Sequence, residues 1–431
     1  MQKPKILITA AAGKTGMATA LDLLRQGFPV RAMVRHADAR SLLLKEAGAE
    51  ITLGSMEDFT DLTRAMAGVQ RAYFCPPLEP GTLRRATLFA ACAQEARLEA
   101  VAVLSQWLSD PIHPAVHSRE KWLTSKVFEW LPGVTSITID PGFFADNYMA
   151  VLEPAAQFGL MAMPLGEGMN APPSNEDIAR VVAAVLIDPG PHIGKSYRPT
   201  GPTLLSPVDI ANIIGKVLKR RVRYQNAPLR MFMKAATALK LPRFVIEELS
   251  WYLQDYQRNS FGIGAPTNVV GDVGGKQPDD FETIVRRYAA VSPFVKQTLA
   301  SKGRALGALM NALLAKAPDP ASIRRQLELP TIANAKLGAV PRAGLARTIP
   351  IGWLVAELRC SRKWPLAPDG EPSRSSSDDW APTSIRSHRH QVTSACSMCL
   401  DHIVVFGEAH LRRIPRPYAL LQLTSDASIF R

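Results

Sequence analysis

The sequence is short of the features that would mark several large classes of protein. No apolar run approaches the roughly 20 residues of a membrane span. Met1 precedes the first strand-like run by only three residues, too few for a signal peptide, so a cytoplasmic protein is expected. The five cysteines (Cys75, Cys92, Cys360, Cys396 and Cys399) are too few and too scattered for a disulfide framework, which fits a reducing compartment. No tyrosine is followed four residues later by lysine, which disfavours simple alcohol and ketone interconversion by a phenol whose pKa a lysine lowers. Acidic residues are scarce relative to basic ones, giving a net charge of +13. That surplus is uneven: residues 291–431 carry 19 Lys and Arg against 10 Asp and Glu, leaving 32 against 28 in residues 1–290. A diffuse surplus with no helix-turn-helix or zinc-finger pattern gives no case for nucleic-acid binding.

What is present begins at the N-terminus. An apolar run, Lys5 to Thr9, leads through Ala10, Ala11, Ala12, Gly13, Lys14, Thr15 and Gly16 into an amphipathic stretch from Met17 to Leu24. Strand, glycine-bearing turn and helix in that order suit a dinucleotide pyrophosphate, because amides at a helix N-terminus point at it and missing side chains let it approach. The turn departs from a full glycine pattern at Ala10, whose methyl is tolerated only if φ there stays negative.

A second run, Val30 to Val34, ends at Arg35, about 20 residues beyond the turn, where an NAD-preferring protein carries an acid for the ribose hydroxyl. Arginine cannot accept that bond, but its fork suits a 2′-phosphate. NADPH is therefore expected over NADH, against the alternative that Arg35 is a solvated charge at a strand end.

Helical and strand-like stretches then alternate: helices at 39–47, 59–67, 83–96 and 120–131, and strands at 50–53, 71–74, 100–104 and 134–139. This alternation predicts an α/β protein with a doubly wound parallel sheet, with ligands at the carboxyl ends of its strands. Those ends include Ser55 and Met56, Cys75 to Pro77, Ser105 to Trp107, and Asp140 to Phe144.

The stretches Ile8 to Gly16, Val30 to Arg35, Gly54 to Asp58 and Asp140-Pro141-Gly142-Phe143-Phe144-Ala145-Asp146-Asn147 resemble the NmrA-like branch of atypical short-chain dehydrogenases/reductases, as do Asn175 to Ala179, Gly194 to Tyr197 and Thr200 to Pro202. The resemblance covers about residues 3–290. It implies a Rossmann domain that binds NADP(H) and a small variable C-terminal lobe, in a family that ranges from quinone, azo and isoflavonoid-type reductases to proteins that bind the cofactor only to sense redox state and regulate a partner. Carried over by motif, the backbone from Ala11 to Gly16 would hold the pyrophosphate and Arg35 the 2′-phosphate. Ser55 and Met56 would lie near the adenine, and Pro76 and Pro77 near the nicotinamide. Ser105, at the next strand end, joins this cofactor-binding set. Ser55 stands where many members have Asp, and Asp140 where many have Arg; the second departure would alter the wall of the substrate pocket.

Two lysines are candidates for catalysis. Lys121 lies eight residues before Glu129, the interval at which isoflavone-reductase-like relatives carry a lysine, and Lys126 forms a Lys-x-x-Glu pattern with Glu129. Either could polarise a substrate oxygen or anchor the cofactor ribose, against the plain alternative that Lys126 and Glu129 are a helix-surface pair. His117 could carry a proton but suits a structural place equally. Phe143, Phe144, Asn147 and Tyr148 could line a flat apolar pocket for an aromatic acceptor, or the aromatics could be core. Hydride transfer to a quinone or azo group asks little beyond orientation of the two reactants. The function expected is thus an NADPH-dependent oxidoreductase acting on a quinone-like or related aromatic or carbonyl acceptor. The alternative is a sensor without turnover, whose partner would be another protein.

The chain divides into 1–150 (cofactor domain), 151–290 (small substrate-side lobe, with helices at 178–187 and 206–218), 291–364 (helical extension) and 365–431. The last segment is rich in Pro, Ser and Arg and has a disordered-tail composition. His388, His390, Cys396, Cys399 and His402 lie in it, but one Cys-x-x-Cys with a His-x-His matches no common zinc site, and no metal is expected.

Overall fold

The first strand is short and wholly apolar, and this decides its place. Ile6, Leu7 and Ile8 (β1, Ile6–Ile8) are all fully buried, which a strand achieves only when both faces of its sheet are covered. In the computed structural model, which describes residues 2–338, β1 is an interior strand of a seven-stranded sheet flanked on both sides by helices. Around it are α1 (Lys14–Arg25), β2 (Val30–Val34), α2 (Ala39–Glu46), β3 (Glu50–Leu53), α3 (Phe59–Met66), β4 (Arg71–Phe74), α4 (Thr82–Glu95), β5 (Ala100–Leu104), α5 (Val116–Glu129) and β6 (Thr135–Ile139). The doubly wound parallel fold expected from the alternation is what forms.

Beyond β6 follow α6 (Leu152–Phe158), β7 (Leu160–Met163), α7 (Asn175–Ile187), β8 (Ser196–Tyr197), α8 (Pro207–Val217), β9 (Arg223–Asn226), α9 (Leu229–Ala238), α10 (Arg243–Gln257), α11 (Val269–Asp272), α12 (Phe281–Val291), α13 (Leu299–Leu314) and α14 (Pro320–Gln326). The large sheet has the order β3-β2-β1-β4-β5-β6-β8, and every pairing in it is parallel. The strand order reverses between β1 and β4, which places a crevice at the carboxyl ends of those two strands. β7 and β9 pair separately, in parallel.

Helix α7 returns from the second half of the chain to cover one face of the large sheet. Its apolar side (Ile178, Val181, Val182, Val185 and Leu186, all buried) packs with Met17, Ala20 and Leu23 of α1. A capping box between Ser174 and Asp177 starts α7, and the Thr15 hydroxyl of α1 donates to Asn175 Oδ1 at 2.9 Å. Each fully buried aliphatic side chain here contributes about 1.5–3 kcal/mol, so α7 is a structural partner of the glycine turn that precedes α1. Asp177 serves that cap.

Residues 291–338 fold back onto α9 and α10 and the loop before α5. Lys234 of α9 donates to the Leu313 carbonyl, Arg324 pairs with Glu247 at 2.6 Å, and Gly338 N donates to Asp255 Oδ1 at 2.9 Å. The tail from 365 and its Cys and His residues lie outside the described residues. Among the described residues, no helix is long and apolar enough to cross a membrane.

Candidate functional site

The turn between β1 and α1 is built by close backbone packing. Ala10 takes φ +46°, and its carbonyl accepts from Gly13 N at 2.8 Å. Closing the turn onto Gly13 thus puts residue 10 in the left-handed region, the case in which its Cβ costs on the order of 1 kcal/mol. A Cβ at Gly13 would lie 3.1 Å from Ala10 O, and one at Gly16 only 2.5 Å from it. Gly13 N-caps α1 and, having no side chain, leaves the amides of the first turn without a side-chain cap. The residues therefore fit a diphosphate: the amide end of a helix, and a turn whose backbone a side chain would crowd.

Lys14 leaves this turn toward the second half of the chain. Its Nζ lies 2.7 Å from Asp146 Oδ2, and the Tyr288 hydroxyl of α12 donates to Asp146 Oδ1. The turn is thereby wired to α12 through one buried carboxylate.

Arg35 extends from the end of β2 and is half exposed. Its Nη1 pairs at 3.1 Å with Glu79 Oε1, on the loop after Pro76 and Pro77. Buried Arg85 of α4 holds the other carboxylate oxygen of Glu79 at 3.2 Å and Glu57 at 2.5 Å. Ser55 N donates to Asp61 Oδ2 at 2.9 Å, and Met56 packs against the core layer between α3 and α4. Glu79 carried no local sign of this contact, because 44 residues separate it from Arg35.

At the ends of β4, β5 and β6 lies a buried polar cluster. Lys121 of α5 is 3% exposed, and its Nζ donates to the Leu104 carbonyl at 2.7 Å. Burial pulls its pKa down to about 8, against the opposing influence of Cys75, Asp140 and Glu120. Asp140 is buried too, and burial pushes its carboxyl up to about 6 although Ser196 and Ser105 hydrogen-bond to it and Lys121 lies near. Ser125 Oγ donates to Ser105 Oγ at 3.1 Å, and Ser105 N donates to the Ile139 carbonyl at 2.9 Å. The burial of Asp140 and the approach of Cys75 were not legible in the sequence.

The remaining candidates are spread out. Lys126 lies in an ion pair with Glu129 on the helix surface, with its Nζ 5.9 Å from the Trp122 ring centroid. His117 is buried, and burial, with Lys121 and Arg85 near, keeps its imidazole well below its ordinary pKa; its Nδ1 meets Thr82 Oγ1 at 3.3 Å. Phe143 and Tyr148 belong to an interior aromatic cluster with Tyr252, Tyr256 and Phe261, and the Tyr148 and Tyr256 hydroxyls are 2.8 Å apart. They are core aromatics. Phe144 and Asn147 are half-buried, Phe144 against the sheet layer. Trp107 borders this region, with the Arg198 guanidinium 3.6 Å from its ring centroid and its indole N donating to the Ser260 carbonyl at 3.2 Å.

A parallel sheet of this order, with a glycine turn leading into its first helix, defines a protein of the Rossmann class. Within that class the chain belongs to the NmrA-like family, whose model matches residues 2–261. It is 27% identical over 294 residues to an NAD(P)H azoreductase of Xenophilus azovorans, covering 66% of this chain and 98% of that protein. It is 25% identical to quinone oxidoreductase 2 of Escherichia coli, covering 55% of this chain and 82% of that one. Among solved structures it is similar to the NADPH complex of that Escherichia coli quinone oxidoreductase (TM-score 0.57, 23% identity, 65% of this chain and 98% of that chain). It is also similar to NmrA, a negative transcriptional regulator, in complex with NADP (TM-score 0.55, 17% identity, 66% and 95%). At these identities the structural likenesses speak for the fold alone.

Proposed function

We propose that this protein is an NADPH-dependent oxidoreductase that reduces a quinone-like or azo-type aromatic acceptor. The observation that carries the reading is the junction of two features at the same edge of the sheet. One is a turn shaped for a diphosphate; the other is a buried amine and carboxyl, Lys121 and Asp140, at the ends of β4 to β6. The relatives named as an azoreductase and a quinone oxidoreductase support the acceptor class.

In this reading the backbone of Ala11 to Gly16 holds the pyrophosphate, Arg35 the 2′-phosphate, Ser55 and Met56 flank the adenine, and Pro76, Pro77 and Ser105 border the nicotinamide. The bound cofactor supplies a hydride. Reduction of a quinone to a hydroquinone takes that hydride and one further proton, and Lys121, with a pKa of about 8, is protonated at neutral pH and able to give it. Asp140 keeps a counter-charge near the amine, and both side chains are buried. The test is anaerobic NADPH oxidation with a panel comprising a quinone, an azo dye and a simple ketone. Turnover with the first two and none with the ketone is expected; binding of NADPH without oxidation by any of them would overturn the reading.

A second reading, a cofactor sensor that regulates another protein, is favoured by the contact of Lys14 with Asp146 and of Asp146 with Tyr288. Through it, a change at the glycine turn reaches α12. The same panel decides between the two.

A further inference from the structure

Resting on the reading that Arg35 takes the 2′-phosphate, we propose that Glu79 is a specificity-determining residue: it occupies the Arg35 fork and restrains the preference for NADPH over NADH. Three observations carry this. First, Arg35 Nη1 and Glu79 Oε1 are 3.1 Å apart, and Glu79 is the one ion-pair partner of Arg35 among the described residues. A 2′-phosphate reaching this fork meets a carboxylate already on it. Second, Glu79 cannot simply swing away. Its other oxygen is held at 3.2 Å by Arg85, which is itself buried and fixed by the Pro80 carbonyl at 2.9 Å and by Glu57 at 2.5 Å. Third, the two guanidiniums and two carboxylates of this group sum to zero charge, so the group offers an incoming dianion much less than a lone arginine would.

The same carboxylate suits the other cofactor. A ribose 2′-hydroxyl is a donor, and Glu79 is the acceptor that the end of β2, with arginine in place of an acid, does not provide. Arg35 and Glu79 together thus accommodate both ribose forms: the guanidinium donates to the phosphate oxygens, and the carboxylate accepts from the hydroxyl while repelling the phosphate.

The experiment measures dissociation constants of NADPH and NADH for the full chain by fluorescence titration, on wild type, Glu79→Gln, Glu79→Asp, Glu57→Gln and Arg35→Ala. Glu79→Gln is expected to tighten NADPH about three- to tenfold and to weaken NADH about twofold or more. Glu79→Asp, which draws the charge back from Arg35, is expected to move the ratio the same way but less. Glu57→Gln, which touches Arg85 and not Arg35, is expected to move it least. A Glu79→Gln ratio within twofold of wild type overturns the proposal, as does a Glu57→Gln shift of equal size, which would make the cause bulk charge and not the contact. Arg35→Ala tests the parent reading separately. Selective loss of NADPH sustains it, whereas equal loss of both cofactors removes Arg35 from the 2′-phosphate and the Glu79 proposal with it.

Discussion

Gly16 and Ala10 pack backbone against backbone: a Cβ on residue 16 would stand 2.5 Å from the Ala10 carbonyl oxygen, nearer than any real side chain comes. The atom in the way is main chain and cannot rotate aside. Gly16→Ala must therefore push α1 off the turn, at a cost of about 1–3 kcal/mol in stability and at least tenfold in NADPH affinity. Thermal unfolding together with cofactor titration checks this. An unchanged melting temperature would mean that the helix can shift freely.

Ala10 itself holds φ +46°. Glycine adopts that conformation freely but has more entropy to lose on folding, and the two effects nearly offset. Ala10→Gly is expected to change stability by less than about 1 kcal/mol, whereas Ala10→Val, β-branched in the left-handed region, should cost about 2 kcal/mol or more. Denaturant unfolding of the two variants side by side gives the comparison.

Lys121 is expected to impose a pH limit on turnover. Its pKa of about 8 lies below the ordinary lysine value, so the protonated amine is the major form at neutral pH and is lost as pH rises through about 8. The turnover number should fall above that pH, and Lys121→Met should lower it about a hundredfold and abolish that limb of the profile. A Lys121→Met profile that keeps the same alkaline limb would assign it to another group.

Asp140 gives a stability signature of opposite origin. Its folded pKa, raised to about 6, exceeds the unfolded value near 3.8, so the folded chain binds the extra proton between them. The contribution of Asp140 to stability is fully present below about pH 4 and is lost as pH rises through about 6; the full change is about 1–3 kcal/mol. Asp140→Asn should flatten that part of the unfolding free energy against pH. An identical slope in the variant would mean that Asp140 keeps its ordinary pKa.

The strand, turn and helix at the N-terminus were legible because each signal is local: an apolar run, two glycines three apart, and an amphipathic stretch. The alternation through Ile139 was legible for the same reason. Helix α5 begins at Val116, before the expected start at Glu120, because Ala115 N-caps it without a side-chain hydrogen bond and so left no capping signal. Strand β8 is two residues long, too short for periodicity to register, yet it completes the sheet beside β6. In the site, Arg35, Lys121 and Asp140 could be singled out by position, but the burial of Asp140 beside Lys121 and the contact of Glu79 with Arg35 could not, because the fold brings those residues together across long stretches of chain. Phe143 and Tyr148 show the reverse: aromatic character suits a core and a pocket equally, and only the packing of Tyr252, Tyr256 and Phe261 around them decides for the core.

The most direct test of the account is whether the chain transfers reducing equivalents at all. Wild-type protein is mixed anaerobically with NADPH and a quinone, and loss of NADPH and appearance of the hydroquinone are followed together. The two are expected to change one for one over many turnovers, and Lys121→Met to bind NADPH normally while slowing both equally. NADPH that binds tightly and remains reduced in the presence of every quinone and azo acceptor tried would contradict it.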